Sequence, residues 1–504
     1  MRSSARPQDA NDTVAAGTRL TWWILAALWI PSLLWLWMQL QAIVAVPATL
    51  LLGYAFHAMR GATRSATAAP LPARTIGVIV AFSMCWAAFT GLPHIFALSD
   101  DWMTRLETLH LFVSPSWQRL HEDGTDYVLR FPGAYYAVAA MFGGMADTGA
   151  LRFVEYATTA LTCALALAAL HARTARRALA AFLFIVVCIN GLDLPGSLAA
   201  ALLKGAPMKP FGTHVEWWSG LQYSGLTTAM VWVPNHLLPA LLFCALVPMT
   251  RAHSHPSMQR AHILMLAAAG TMLWSPLVFL GAAPLVAVEF LAALRAGAWR
   301  LDWRTLRPAY ILAVVLVMGL VSWYLTLDAG SIRKGWYFQS CDAGTLACGA
   351  KLALFYLLEA LPLAWLCSRL PNRRIGRAAA ATLLVLPLLV YGPSNDLTMR
   401  ASLPAIVIAA VSLHHLLGSR IGRRAKALLC AFIVVAGYSA ASEFWRGITG
   451  FDQPAWHPVG FVRSFKETFP QTIVGGYPPH YLAPAATACA GAGRWMLRGC
   501  QPAH

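Results

Sequence analysis

Charge is what this chain has least of. Only 12% of its 504 residues are Asp, Glu, Lys or Arg, while 58% are hydrophobic; a soluble globular protein carries about 25% charged residues. That shortage excludes a water-soluble enzyme. Nucleotide-handling signatures are missing too. The absence of a Walker loop and of a GxGxxG unit argues against an ATP-driven pump and a cytosolic nucleotide-sugar enzyme. No HExxH, GxSxG or haem CxxCH motif occurs. The ten Cys form no CxxC pair and no Cys/His metal spacing; Cys85, Cys163, Cys188, Cys244 and Cys430 sit in apolar runs and read as small core residues. The 30 Pro and 37 Gly are dispersed, which excludes collagen-like and low-complexity chains. What remains is an all-α polytopic membrane protein.

The net charge of +17 comes in short clusters between apolar segments, a pattern of loops held on the cytoplasmic side rather than of a nucleic-acid groove. A bilayer core of about 30 Å needs roughly 20 apolar residues in a helix. Segments of that kind run from Thr21–Leu40 to Ala427–Ala440 and include Leu226–Leu246, Ile263–Leu280, Ala282–Leu294 and Ala378–Val390. They predict about thirteen spans, within a range of roughly 11 to 15. The first is too long for a cleaved leader and lacks a small-residue cleavage site. Six Arg-rich connections then fall on one side, provided that Phe131–Ala146 is re-entrant rather than crossing.

This topology sends most carboxylates to the opposite, outer side. The expected organisation is a helical domain over residues 1–441, with an outer loop at 99–130, and an outer C-terminal subdomain at 442–504. Within that loop Trp102, Leu106, Leu109 and Phe112 recur at helical spacing and predict a short helix lying along the membrane surface. On the oxidising side, Cys341 can pair with Cys348 and Cys489 with Cys500.

Candidate chemistry gathers at the outer ends of the spans. Asp100 and Asp101 lie at the membrane–water boundary, where a lowered dielectric suits a carboxylate to general-base work; a helix cap with a solvated acid is the alternative. Asp193 lies in a Gly- and Pro-broken segment, and an ionisable group near a broken span is a functional candidate. Between Lys204 and His236, His214, Glu216, Asn235 and His236 alternate with aromatic residues that suit sugar faces and hydroxyls, while Lys204 and Lys209 suit phosphate. An interfacial aromatic belt reads the same way. Asp396 and Arg400 stand one helical turn apart, either as a structural ion pair or with Arg400 gripping phosphate bidentately.

The order of these features resembles the GT-C superfamily of membrane glycosyltransferases, in its bacterial form. An apolar helix leads into an outer loop opening with Asp101-Trp102; Trp117 follows, then Tyr127-Val-Leu-Arg130-Phe-Pro-Gly-Ala-Tyr135-Tyr136, many spans and an outer tail. The resemblance implies a polyprenyl-phosphate-linked sugar as donor, a lipid or glycan acceptor, and a catalytic carboxylate in the first large outer loop. Here that is Asp101, or Asp100 if the register differs. More than one helix precedes the loop, where the superfamily usually has one. The implied enzyme transfers sugar at the periplasmic face of the inner membrane. No cofactor is required, although Asp100 and Asp101 could hold a divalent metal. A secondary transporter or lipid-linked glycan flippase is the alternative, with Asp193, Asp396 and Glu359 as coupling groups, as is a structural subunit of an envelope polysaccharide complex. No internal repeat of the transporter kind is evident.

Overall fold

The computed structural model describes residues 7–59, 70–92, 101–114, 117–173, 178–204, 214–250, 257–298, 308–341, 344–392, 394–449 and 458–501. The described residues are mostly helical, with five short strands among them. Among them seven helical segments are long and apolar enough to cross a membrane: Gly17–Gln39, Thr148–Arg173, Leu179–Leu202, Pro276–Ala296, Thr345–Ser368, Asp396–Leu417 and Arg423–Thr449. Four shorter apolar helices accompany them: Ala42–Ala58, Ala73–Phe89, Pro234–Leu246 and Tyr310–Thr326. A 17-residue helix reaches about 26 Å, so its flanks must complete any crossing.

Breaks fall where the backbone chemistry demands them. The expected span Leu226–Leu246 divides at Val233, because Pro234 opens a second helix at its first turn. The expected pair Ile263–Leu280 and Ala282–Leu294 is instead Met258–Thr271 and Pro276–Ala293. Ser275 caps the latter, its hydroxyl accepting from the Val278 amide at 3.1 Å ahead of Pro276. The helix beneath Ala378–Val390 stops at Val385 and passes through Pro387 into a short strand. Phe131–Ala146 forms only two short helical turns and a bend. The helix Arg423–Thr449 continues past residue 442, so the boundary expected there falls inside a helix.

Contacts give the bundle two chemically distinct ends. At one, Arg173 donates to Thr21 (2.9 Å) and to the Ala245 carbonyl (2.6 Å), and Arg260 and Arg374 flank the buried Glu289 at 3.5 and 3.4 Å. At the other, Leu40 bridges Leu497, and the antiparallel strands β1 (Arg119–Glu122), β2 (Thr125–Leu129) and β5 (Leu482–Pro484) form one small sheet. A second pair, β3 (Lys334–Trp336) and β4 (Leu389–Tyr391), lies in that region too, with Arg130 bridging to Leu325 and Pro479 beside it. Asp101, Glu107, Glu122, Asp126, Asp328 and Asp396 all belong to this second end.

The helix expected in the loop 99–130 is Asp101–Leu111. It does not lie open on a surface. Trp102, Leu106 and Leu109 are fully buried, and Arg105 and Glu107 on the flanking face are buried too. The reason is a cover supplied by the tail. Glu107 accepts from the Val459 amide at 2.8 Å, and Glu122 accepts from the amides of Val462 (3.0 Å) and Arg463 (2.9 Å) at the start of the helix Phe461–Thr468. Phe461 and Phe465 are buried on the inner face of that helix. Below it, Trp35 is enclosed by Phe112, Trp117 and Phe131, and Gly133 is needed because a Cβ there would lie 2.3 Å from the indole. Both expected disulfides, Cys341–Cys348 and Cys489–Cys500, are formed.

Candidate active site

A cavity of about 430 Å³ lies where the first outer loop, the broken spans and the tail meet. Six of the sequence candidates line it together: Asp101, His214, Asn235, His236, Asp396 and Arg400. All but His214, which lies in irregular chain, belong to short helices or to the first turn of a longer one. Asp101 opens its helix, and Asn235 and His236 occupy the first turn after Pro234. Asp396 and Arg400 sit on the short helix Asp396–Ala401, which follows the turn after β4. That turn needs glycine at position 392, where φ is +82° and a Cβ would lie 2.1 Å from the Asp396 carboxylate.

Three guanidinium groups face this space: Arg105, Arg130 and Arg400. Arg105 donates to the Trp232 carbonyl and lies 4.6 Å from the centre of the Trp102 ring. Burial opposes its charge, but the potential of Tyr136, Tyr135, Asp101 and Glu155 outweighs that cost and holds the guanidinium above the ordinary arginine range. Arg130 is clamped by the carbonyls of Leu325 and Pro479, and burial pulls its pKa down. Arg400 pairs with Asp396 at 3.0 Å. Arg105 Nη1, Arg130 Nε and Arg400 Nε have no hydrogen-bond partner among the described residues. A buried guanidinium nitrogen without an acceptor is costly, so a ligand that supplies oxygen lone pairs is favoured here.

His236 lies in the field of both Arg105 and Arg400. Its Nδ1 is 2.5 Å from Ser275 Oγ, and Asn235 Nδ2 is 3.3 Å from its Nε2. His214 is held by Glu443, at 2.8 Å from Nδ1, and Glu443 is in turn paired with Arg446. Burial works against the His214 imidazolium, but Glu443 more than restores it and raises its pKa. His480 takes the opposite course: burial, aided by Arg400 and Arg130, lowers its pKa despite Asp396.

Two candidates lie behind the wall instead. Glu216 is buried, accepting from Asn190 (2.6 Å), Thr228 (2.5 Å) and Gln222, and burial pushes its pKa up to about 8. Asp193 is buried beside Glu359, with Ser439 donating to it at 3.0 Å. The reason is the chain path: the unwound turn 189–192 folds inward, and the Leu192 amide donates to Leu358 at 3.0 Å within the π turn Tyr356–Ala360. Neither acid reaches the cavity. Lys204 ends its helix with its side chain outside the described residues, and Asp100 and Lys209 lie outside them altogether. Among the described residues no group of three or more His, Cys, Asp or Glu side chains is arranged to hold a metal.

Sequence reasoning missed Arg105 and His480. Arg105 falls at i+4 from Asp101, hence on the same helical face, a signal that was available. His480 follows Pro478 and Pro479 in an irregular segment with no periodicity to mark it. Comparison with protein-family models, curated proteins and solved structures finds no match to this chain.

Proposed function

We propose that this protein is a membrane glycosyltransferase of GT-C type. In this reading it moves a sugar from a polyprenyl-phosphate-linked donor to a lipid or glycan acceptor at the periplasmic face of a bacterial inner membrane, with about thirteen crossings. The observation that carries it is the union in one cavity of a carboxylate, Asp101, with three guanidinium groups that each keep an N–H without a partner among the described residues.

The chemistry then balances as follows. The acceptor hydroxyl gives its proton to Asp101 while its oxygen attacks the anomeric carbon. The bond from that carbon to the phosphate oxygen breaks, and the phosphate leaves with the electron pair, with inversion at carbon. Phosphate is already a stable anion and needs cations rather than a proton, which Arg400 and Arg105 supply from fixed positions. Tyr136, Trp217 and Trp232 offer rings to the sugar. Asp101→Asn should abolish transfer while leaving the amount of folded protein in detergent unchanged; full activity in that variant removes the proposed base. Mass spectrometry of lipid-linked sugars and surface glycans in a deletion strain identifies donor and acceptor.

One observation favours a second reading, a secondary transporter or flippase. The buried Asp193, Glu216 and Glu359 meet where an unwound turn touches a π turn, and broken helices with interior carboxylates suit ion coupling. Transport in proteoliposomes that is abolished by Asp193→Asn but not by Asp101→Asn selects it.

A further inference from the structure

His214, Gln222 and Trp232 line one part of the cavity wall, and the polar atoms of all three are left unassigned by the transfer chemistry. The charges acting on His214 are those of Glu443, Glu216 and Arg446, rather than the three cavity arginines. His214 Nδ1 carries the hydrogen of the 2.8 Å bond to the Glu443 carboxylate, so in the neutral form of the ring, the form that diethyl pyrocarbonate attacks, Nε2 is left as an acceptor. Gln222 Nε2 lies 3.4 Å from it, but that amide has two hydrogens for three acceptors. Glu216, at 2.5 Å, and Ser224, at 3.1 Å, are both closer. Nε2 is thus the least committed of the three. Beside it, Gln222 Oε1 and Trp232 Nε1 have no hydrogen-bond partner among the described residues. The His214 and Trp232 rings are 5.1 Å apart, so these atoms belong to one neighbourhood.

The set is one N–H donor and two acceptors, flanked by indole rings. A hydroxyl both donates and accepts, and two neighbouring hydroxyls on a sugar ring can use all three groups while the ring stacks on tryptophan. A phosphate only accepts; it would leave Gln222 Oε1 and His214 Nε2 unused. We propose that His214, Gln222 and Trp232 form a subsite for uncharged vicinal hydroxyls, where a carbohydrate acceptor is held. The inference rests on the reading of the cavity as a glycosyl-transfer site, and it separates the acceptor from the Arg-lined donor position.

The test uses the full-length protein in phospholipid nanodiscs free of glycoside detergent. Methyl β-D-glucopyranoside is the probe and inorganic phosphate the control. The readout is the rate at which diethyl pyrocarbonate carbethoxylates His214, followed by peptide mass spectrometry. The glucoside should slow that reaction and phosphate should not. Trp232→Phe, which deletes the N–H and keeps the ring, should raise the half-protecting glucoside concentration about fivefold. Trp217→Ala removes the half-exposed ring beside the patch, should act in the same direction, and serves where Trp232→Phe does not fold. An unreactive His214, no protection by glucoside, equal protection by phosphate, or protection unchanged in a folded variant overturns the proposal. No turnover is read. A negative result therefore leaves the transfer reading standing, and an active Asp101→Asn protein removes that reading without touching these outcomes.

Discussion

Arg400 reaches Asp396 at 3.0 Å across one helical turn, and its Nε still has no acceptor among the described residues. The carboxylate orients the guanidinium without consuming it, and that is how a cation is kept ready for an anionic ligand. Replacing Arg400 by Gln should weaken binding of a polyprenyl-phosphate sugar roughly 10- to 100-fold, the loss of a charge-assisted contact. Arg400→Lys should recover only part, because an ammonium cannot pair with Asp396 and a phosphate through one planar fork. Ligand retention by the protein in nanodiscs measures both; unchanged retention in Arg400→Gln excludes a phosphate at this arginine.

Gly392 sets the position of that pair. Alanine there must accept φ near +82° and a Cβ 2.1 Å from the Asp396 carboxylate. Strain and displacement together should cost about 1–3 kcal/mol, seen as a lower melting temperature in detergent. Phosphate-ligand affinity should fall with it, because Asp396 cannot stay where it orients Arg400. A variant that melts normally and binds normally would show that the turn relaxes without moving Asp396.

Much of this arrangement was legible before any coordinates. Charge shortage and apolar run length announce a membrane protein, because lipid tolerates nothing else for that many residues. Cysteines spaced seven and eleven residues apart on the side away from the Arg-rich loops were enough to propose both disulfides. The common placement of Asp101, His236 and Arg400 was readable because His236 and Arg400 each open an apolar helix and Asp101 opens the loop helix expected on the same side. Depth was not legible. Nothing in the local sequence says that the turn at 189–192 folds inward, so Asp193 reads as a pocket residue although it lies behind the pocket wall. Arg105 fails in the opposite sense: an arginine on a short amphipathic helix reads as solvated until the Trp232 carbonyl and the buried Tyr135, Tyr136 and Glu155 are seen around it.

The Cys489–Cys500 bridge closes the segment that holds Leu497 against Leu40 and carries Arg498, which donates to the Leu40 carbonyl at 3.0 Å. A loop of this length is worth about 2–3 kcal/mol by chain entropy. Cys489→Ser with Cys500→Ser should therefore lower the melting temperature and open residues 485–501 to protease, and a reductant should do the same to the native protein. The pairing of β2 with β5 lies just upstream, so the cavity wall at His480 and Tyr481 should loosen as well. Protease resistance equal to that of the native chain would show that packing alone secures the tail.

Glu216 gives the protein a pH dependence of definite sign. Burial raises its pKa to about 8 in the fold, from a value near 4.5 in the unfolded chain. Between those limits the unfolded chain has released the proton and the folded chain has not. Raising pH through that window therefore favours unfolding. His214 adds to the same trend: Glu443 raises its pKa, so its contribution is present below the ordinary histidine value and fades as pH rises through the shifted one. Thermal stability in detergent should accordingly decline from about pH 5 to pH 8. Glu216→Gln keeps an oxygen for the donors of Asn190 and Thr228 but cannot ionise, and should flatten the decline. Should the slope persist in Glu216→Gln and disappear in His214→Gln, the imidazole alone carries the titration, and Glu216 is an anion throughout.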